Sequence, residues 1–313
     1  MMSGDGAWRP VVDAMRHQPW AGLLLHRPRH GDAVLRERTK WPRWRSENLA
    51  GWEERVPIHL GPDGYAVEAL LRDPTCISRS VENDREALGS LSGMTVAHLQ
   101  CHLGTDSLSL FRLGAAAVDG IDFSPSAIAH CRDLFARAGA VGEFVVGDVL
   151  DAAALMPRRY DLVFASVGAI NWIPSIAEWL AVAVSLLKNG GRLHLRDVHP
   201  MAMAFDPEID GELRLRYPYG ETAEPVTLQS TQTYVGDGTP LVHATTHEWS
   251  HGIGEIVQGA IDAGLEIRGL EEHYYTEWPM WPSMVMEPSG RYVLAQAPER
   301  LPLLFTLQAI KPA

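Results

Sequence analysis

The chain has 313 residues, 46% of them apolar, and a formal net charge of −12 from 39 acidic and 27 basic side chains. Length and apolar content support one sizeable α/β core with additions, while the acidic balance lacks the field that non-specific phosphate binding needs, so nucleic acid is not an expected partner. Cys76, Cys101 and Cys131 stand at unrelated spacings that fit neither a disulfide framework nor a zinc pattern, which favours a cytoplasmic setting, and the apolar run "WAGLLL" is too short for a signal core or a membrane span.

Residues 1–90 are rich in tryptophan, proline and arginine, with short helical segments near 45–55 and 64–72, and read as a leader or lid. Within it, "RTKWPRWRS" interleaves cations and indoles. Base stacking is one reading; a solvated arm packing its tryptophans on the body suits the charge balance better. "GSLSG" at 89–93 then punctuates the chain, and 91–313 is expected to form one domain.

From Met94 strand and helix alternate. "MTVAHL" is a β-rich run, "TDSLSLFRLGA" has apolar residues at helical spacing, and "AAVDGID" is a second buried strand. "SPSAIAHCRDLFARAG" is the clearest helix, with Ser124 as N-cap, Pro125 in the first turn and Gly139 as the stop. "GEFVVGD", "YDLVFASV" and "GGRLHLRD" are strands three to five, with helices near 150–156 and 175–188 between them. This rhythm argues for a parallel sheet covered on both faces. An antiparallel hairpin is expected around "GDGTP", between "TLQSTQTYV" and "LVHATTHEW". A helix at 251–263 then leads to a sixth strand, and "LPLLFTLQAIK" is a seventh.

Open parallel sheets bind ligands outside the carboxyl ends of their strands. There the stretch "HLQCHLGTD", 98–106, carries Gly104 alone, whereas a pyrophosphate requires G-x-G-x-x-G so that it can approach the backbone and the helix N-terminus. A nicotinamide cofactor is therefore not expected. A nucleoside without phosphates needs only a turn, a carboxylate at the second strand for ribose and a polar group at the third for the base. Asp122 and Asp148 stand at those two places.

On these residues the chain resembles the class I S-adenosylmethionine-dependent methyltransferases. The family's first motif, an acid followed by G-x-G-x-G, aligns on His98, Gln100, His102 and Gly104, so only the last glycine is kept. "GIDFSPSAI", "GD" at 147–148, "YDLVFAS" and "LLKNGGRLHL" match the later motifs. The resemblance covers about 94–200 and the two terminal strands. "HLQCHxGxD" with "NLAGWEERVPIH" at 48–59 also resembles a bacterial subgroup acting largely on small molecules.

The resemblance implies a doubly wound α/β fold: a seven-stranded, mostly parallel Rossmann-like sheet with an N-terminal lid and an inserted β-hairpin. Residues 201–250 would be an acceptor-side or dimerisation insertion. It implies S-adenosylmethionine as cofactor, S-adenosylhomocysteine as product, and no metal. Asp122 would accept the ribose hydroxyls, with Phe123 on the adenine face beside Ser124. Asp148 would accept from the adenine amine alongside Val149. Gln100 and His102 would lie by the aminoacyl tail, Gly104 would be sterically required, and Ser166 and Val167 would line the floor near the methyl group. Helix capping stays open as another role for the two aspartates.

Methyl transfer is an in-line displacement in which alignment alone can supply about 7–11 kcal/mol. His199 is a candidate base or orienting group, or else a turn cap before Pro200. His59, with Tyr65, either closes over the cofactor or sits on the surface. His247 and His251 straddle a strand end and a helix start, so a metal is not expected from their i, i+4 spacing. Asn171 and Trp172, with Tyr274, Tyr275, Trp278 and Trp281 of the proline-stiffened stretch 273–285, would stack a flat acceptor; packing of a lid or of a dimer contact is the other reading. The function expected is methylation, at oxygen, nitrogen or a ring carbon such as indole C3, of a small aromatic or heterocyclic metabolite of secondary metabolism. Cofactor binding without transfer is the alternative. RNA methylation is disfavoured by the acidic balance, and protein methylation by the lack of a proline-flanked amide tetrapeptide. The hairpin near 226–249 offers an edge for a homodimer.

Overall fold

The computed structural model describes residues 41–206, 213–236 and 238–313. The run "WAGLLL", the arginines from Arg27 to Arg38 and Asp237 of the hairpin turn lie outside them.

The alternating region folds as its periodicity predicts. β1 (Thr95–Leu99), β2 (Ala117–Asp122), β3 (Phe144–Val146), β4 (Tyr160–Ala165) and β5 (Leu187–Val198) are parallel, in the order β3-β2-β1-β4-β5. Beyond β5 the sheet continues with β11 (Leu304–Ile310) and then β8 (Glu266–His273), β11 running antiparallel to both β5 and β8. Seven strands, with the last of the chain slotted between β5 and β8, give the doubly wound Rossmann-like sheet.

Both faces are covered, which is why the central strands read as continuous apolar runs. On one side Ala97, Leu99, Val163 and Leu195 pack against α7 (Ile176–Leu186) and α9 (Ile253–Asp262) through Trp179, Leu180 and Ile256. On the other, Val96, Val118, Leu162 and Phe164 meet α3 (Arg79–Leu88), α4 (Thr105–Arg112) and α5 (Pro125–Ala138) through Val81, Leu108, Ile128 and Leu134. Ser175 starts α7, its hydroxyl accepting the Glu178 amide at 3.4 Å. Loss of that cap in Ser175→Ala is expected to cost about 1 kcal/mol in urea unfolding; an unchanged midpoint would leave the cap without energetic weight.

Outside the alternation the sequence reading needs correction. The leader contains one long helix, α1 (Trp41–His59), in place of a short segment at 45–55; α2 (Val67–Arg72) follows it, and α3 is an additional helix. The insertion hairpin is reduced to β6 (Val226–Gln229) and β7 (Thr245–Glu248), antiparallel, because residues between them turn back to contact α1. The 273–285 stretch ends in an unexpected second hairpin, β9 (Met284–Met286) with β10 (Tyr292–Leu294). No helix among the described residues is long and apolar enough to cross a membrane.

Candidate functional site

The turn after β1 resolves the puzzle of the missing glycines. Gln100, His102 and Gly104 all have left-handed backbone, with φ of 55°, 45° and 76°. These are the three positions of G-x-G-x-G, so the path of the glycine loop is kept with side chains on two of its corners. Left-handed φ costs a side-chain-bearing residue about 1–2 kcal/mol, and here both side chains are bonded. The Gln100 amide donates to the Ala169 carbonyl at 2.6 Å and accepts from the Trp179 indole at 3.0 Å. His102 meets His59 ring to ring, Nε2 to Nδ1, at 2.8 Å. At Gly104 no side chain fits, since a Cβ would lie 2.9 Å from Cys131 Sγ.

His98 replaces the acid of the motif and acts as a crossbeam, with Nδ1 2.8 Å from Ser107 Oγ and Nε2 3.3 Å from Ser166 Oγ. Burial pushes its pKa down to about 3, so it is neutral.

Asp122, at the end of β2, accepts backbone amides from His102 and Ser124, each at 2.9 Å. Burial raises its carboxyl to about 6 despite those bonds. Ser124 caps α5 and donates to Glu53 of α1, and Phe123 beside it is half-buried. Asp148, after β3, accepts the Leu150 amide at 2.9 Å and pairs with Arg45 of α1 at 2.8 Å; burial raises its pKa too. Both aspartates thus cap local turns while facing the strand ends. Val149 is buried, and Ser166 and Val167 are half-buried at the end of β4. Asp197, on β5, organises the loop after β4 by accepting the amides of Gly168, Ala169 and Ile170 at 2.7 to 3.0 Å.

Helix α1 crosses the ends of β1 to β4, touching His102, Ser124, Asp148 and Trp172. Asn48, Trp52, Arg55 and His59 recur at three- and four-residue spacing and so share one face. Asn48 bonds the His247 backbone in both directions at 2.8 Å. The Trp52 ring stands edge-on to His102 at 5.0 Å and to Trp172 at 5.5 Å. His59 is fully buried, between His102 and the Thr233 hydroxyl at 2.7 Å. Burial and the nearby Arg55 charge hold its pKa down to about 4. Tyr65 bonds Tyr234 hydroxyl to hydroxyl and lies 5.3 Å from the His59 ring. Asn171 donates to Glu248 at 3.0 Å, and burial raises the Glu248 carboxyl.

His59, Tyr65, His102, Asn171, Trp172 and Trp278 therefore gather around α1, the last through Tyr234 at 6.2 Å between rings. The other expected acceptor and base residues are held elsewhere. Trp281 is buried against Ala202, Leu294 and Leu303. Tyr275 lies under Arg291 at 3.9 Å and Arg196 at 5.5 Å, in the ionic cluster of Arg196, Asp84 and Glu277. Tyr274 is exposed. His199 caps α8 (Pro200–Met203), its Nδ1 accepting the Met201 amide at 3.1 Å and its Nε2 lying 2.9 Å from Glu272. Those bonds fit the turn-cap reading and occupy both ring nitrogens. His247 and His251 diverge: the first meets Glu47 and Thr227, the second Glu221 and the Ile170 carbonyl. Sequence reasoning missed Arg45, Trp52, Glu53, Arg55, Asp197, Tyr234 and Glu248. For Trp52, Glu53 and Arg55 the helical spacing of "NLAGWEERVPIH" was the available signal.

Residues 97–193, from β1 into β5, match the model of a family described as a methyltransferase domain. The chain is 31% identical over 121 residues to a ubiquinone biosynthesis O-methyltransferase of Xanthomonas euvesicatoria, a match covering 39% of this chain and 50% of that protein. A ribosomal protein L11 methyltransferase of Erwinia tasmaniensis is 27% identical over 208 residues, covering 60% of this chain and 65% of that one. The chain thus spans half to under two thirds of the length of these relatives. Two solved structures share the fold. An S-adenosylmethionine-dependent methyltransferase from Mesorhizobium loti has a TM-score of 0.53 at 18% identity, covering 73% of this chain and 96% of its own. A structure from Listeria monocytogenes assigned to the same class has a TM-score of 0.52 at 17% identity, covering 75% and 98%.

Proposed function

We propose that the chain transfers a methyl group from S-adenosylmethionine to a small aromatic or heterocyclic acceptor. The observation that carries this reading is the glycine-loop path preserved at Gln100, His102 and Gly104, beneath two carboxylates at the ends of β2 and β3. These residues fit the cofactor: Gly104 has the left-handed backbone that closes the turn against Cys131, where a Cβ would collide, and Asp122 and Asp148 offer acceptors for ribose and adenine. The bound cofactor supplies an electrophilic methyl carbon on a sulfonium.

The protein's part is alignment and exclusion of water. Ser166 and Val167 form the floor. Trp52, Trp172, Tyr234 and Trp278 surround the acceptor space with flat apolar surface. His59, with its pKa near 4, is a weak proton acceptor at neutral pH and serves to hold His102 and the loop. Glu248 is the better proton acceptor, since burial raises its pKa and it lies beside Asn171 on the acceptor side.

Calorimetric titration with S-adenosylmethionine and S-adenosylhomocysteine tests the reading. Micromolar binding is expected, and its absence from the wild type would overturn the assignment; binding with no transfer to any acceptor would reduce it to cofactor binding alone. The affinity should also depend on pH. Asp122 accepts the ribose hydroxyls through charge-assisted bonds only when ionised; protonated, it keeps a carbonyl acceptor but loses the charge. Burial raises its carboxyl to about 6 in the free protein, so binding is full above pH 7 and weakens as pH falls below 6, by at most about tenfold per unit. A flat profile from pH 8 to 5 would remove Asp122 from the ribose.

A further inference from the structure

Arg55 is the outlier on the inner face of α1. It is 5% exposed, and among the described residues it makes no hydrogen bond and no ion pair. Its one direct partner is the Trp52 ring, 5.6 Å from the guanidinium carbon. Nη1 is wholly buried and unsatisfied. The helix accommodates it through Gly51, where a Cβ would stand 2.7 Å from Nη1. A buried cation with no directly paired counter-ion is costly to keep.

The groups that face Arg55 electrostatically are Glu54, Tyr234, Glu248, His59 and His102. The carboxylates among them are already engaged. Glu54 accepts the backbone amides of Val242 and His243 at 2.7 and 2.8 Å, and Glu248 accepts from Thr246 and Asn171. The two histidines are held neutral by burial. What remains is a desolvated guanidinium over the Trp52 ring, within electrostatic reach of Tyr234 and Glu248.

We propose that Arg55 anchors the methyl acceptor by its charge: the acceptor is a small aromatic acid whose carboxylate pairs with this guanidinium while its ring lies against Trp52 and its neighbours. The proposal rests on the methyltransferase reading and narrows its substrate class. A planar guanidinium suits a carboxylate bidentately, and the pairing gains strength in a site that has already lost its water.

The test compares benzoate, indole-3-acetate and 4-hydroxyphenylacetate with their uncharged amides, by tryptophan fluorescence, on wild type and Arg55→Met with and without saturating S-adenosylhomocysteine. At least one acid is expected to bind wild type tenfold or more better than its amide, and Arg55→Met should erase that preference while leaving S-adenosylhomocysteine affinity within twofold. Arg55→Lys should recover part of it. Because the substitution removes an unpaired buried charge, Arg55→Met should also melt about 2 °C or more above wild type, which separates lost binding from a lost fold. No acid outbinding its amide by threefold would overturn the proposal. So would a loss of S-adenosylhomocysteine affinity larger than the loss for the acid, since Arg55 would then serve the cofactor's own carboxylate. A wild type that binds no S-adenosylhomocysteine defeats the methyltransferase reading instead, and the acid-to-amide comparison without cofactor still decides the anion site.

Discussion

Asp122→Ala is expected to weaken S-adenosylhomocysteine binding about a hundredfold, roughly 3 kcal/mol. Two ribose hydroxyls donating to one carboxylate give charge-assisted bonds of about 1.5–3 kcal/mol each. Part of that gain is offset, because Asp122 already accepts the His102 and Ser124 amides and would exchange or share those bonds on binding. The alanine also leaves two amides without their acceptor, so the loop itself loosens. Asp122→Asn separates the two effects, since it keeps one acceptor oxygen and the packing but removes the charge. Calorimetry on both variants, with melting curves as a check on folding, reads the result. A loss under threefold for the alanine would mean that the carboxylate serves the loop and not the ligand.

Gln100→Gly is expected to destabilise the protein by about 2–4 kcal/mol, although it restores the glycine that the motif would place there. Relief of the left-handed backbone returns about 1–2 kcal/mol, less about 0.5–1 for the greater freedom of glycine in the unfolded chain. Against this stand two orphaned groups, the Ala169 carbonyl and the Trp179 indole, the indole being fully buried. Each unsatisfied partner costs about 1–3 kcal/mol. Urea unfolding with an unchanged m-value would read the difference, and a rise in stability would show that backbone strain outweighs the hydrogen bonds.

The parts legible in the sequence are those where one local pattern has one structural solution. The helix opened by Ser124 and Pro125 and closed by Gly139 forms between those residues. The alternating strands sort into a parallel sheet because their apolar runs require cover on both faces. The ends of β2 and β3 placed Asp122 and Asp148. The acceptor side was less legible because its residues meet across 169 and 199 positions: Tyr65 with Tyr234, Asn48 with His247. Nothing near Trp281 or Tyr275 indicates that one would join an apolar cluster and the other an arginine stack. His199 looked like a base because it follows β5, and only the Met201 amide and Glu272 show its local duties. The substituted glycines signalled doubt about the loop; its preserved path depends on Trp179, Ala169 and His59, which no local window contains.

The placement of β11 bears on how the polypeptide reaches its native state. Leu304–Ile310 hydrogen-bonds on both sides, to β5 and to β8, and buries Phe305 and Leu307 completely. A nascent chain in which these residues have not yet been synthesised holds two unpaired strand edges and a gap in its core. Both edges are templates for wrong pairing until the last strand inserts. Assembly of the β5 half of the sheet therefore waits for this strand, and that half is the place where chaperone engagement and aggregation during biogenesis would concentrate.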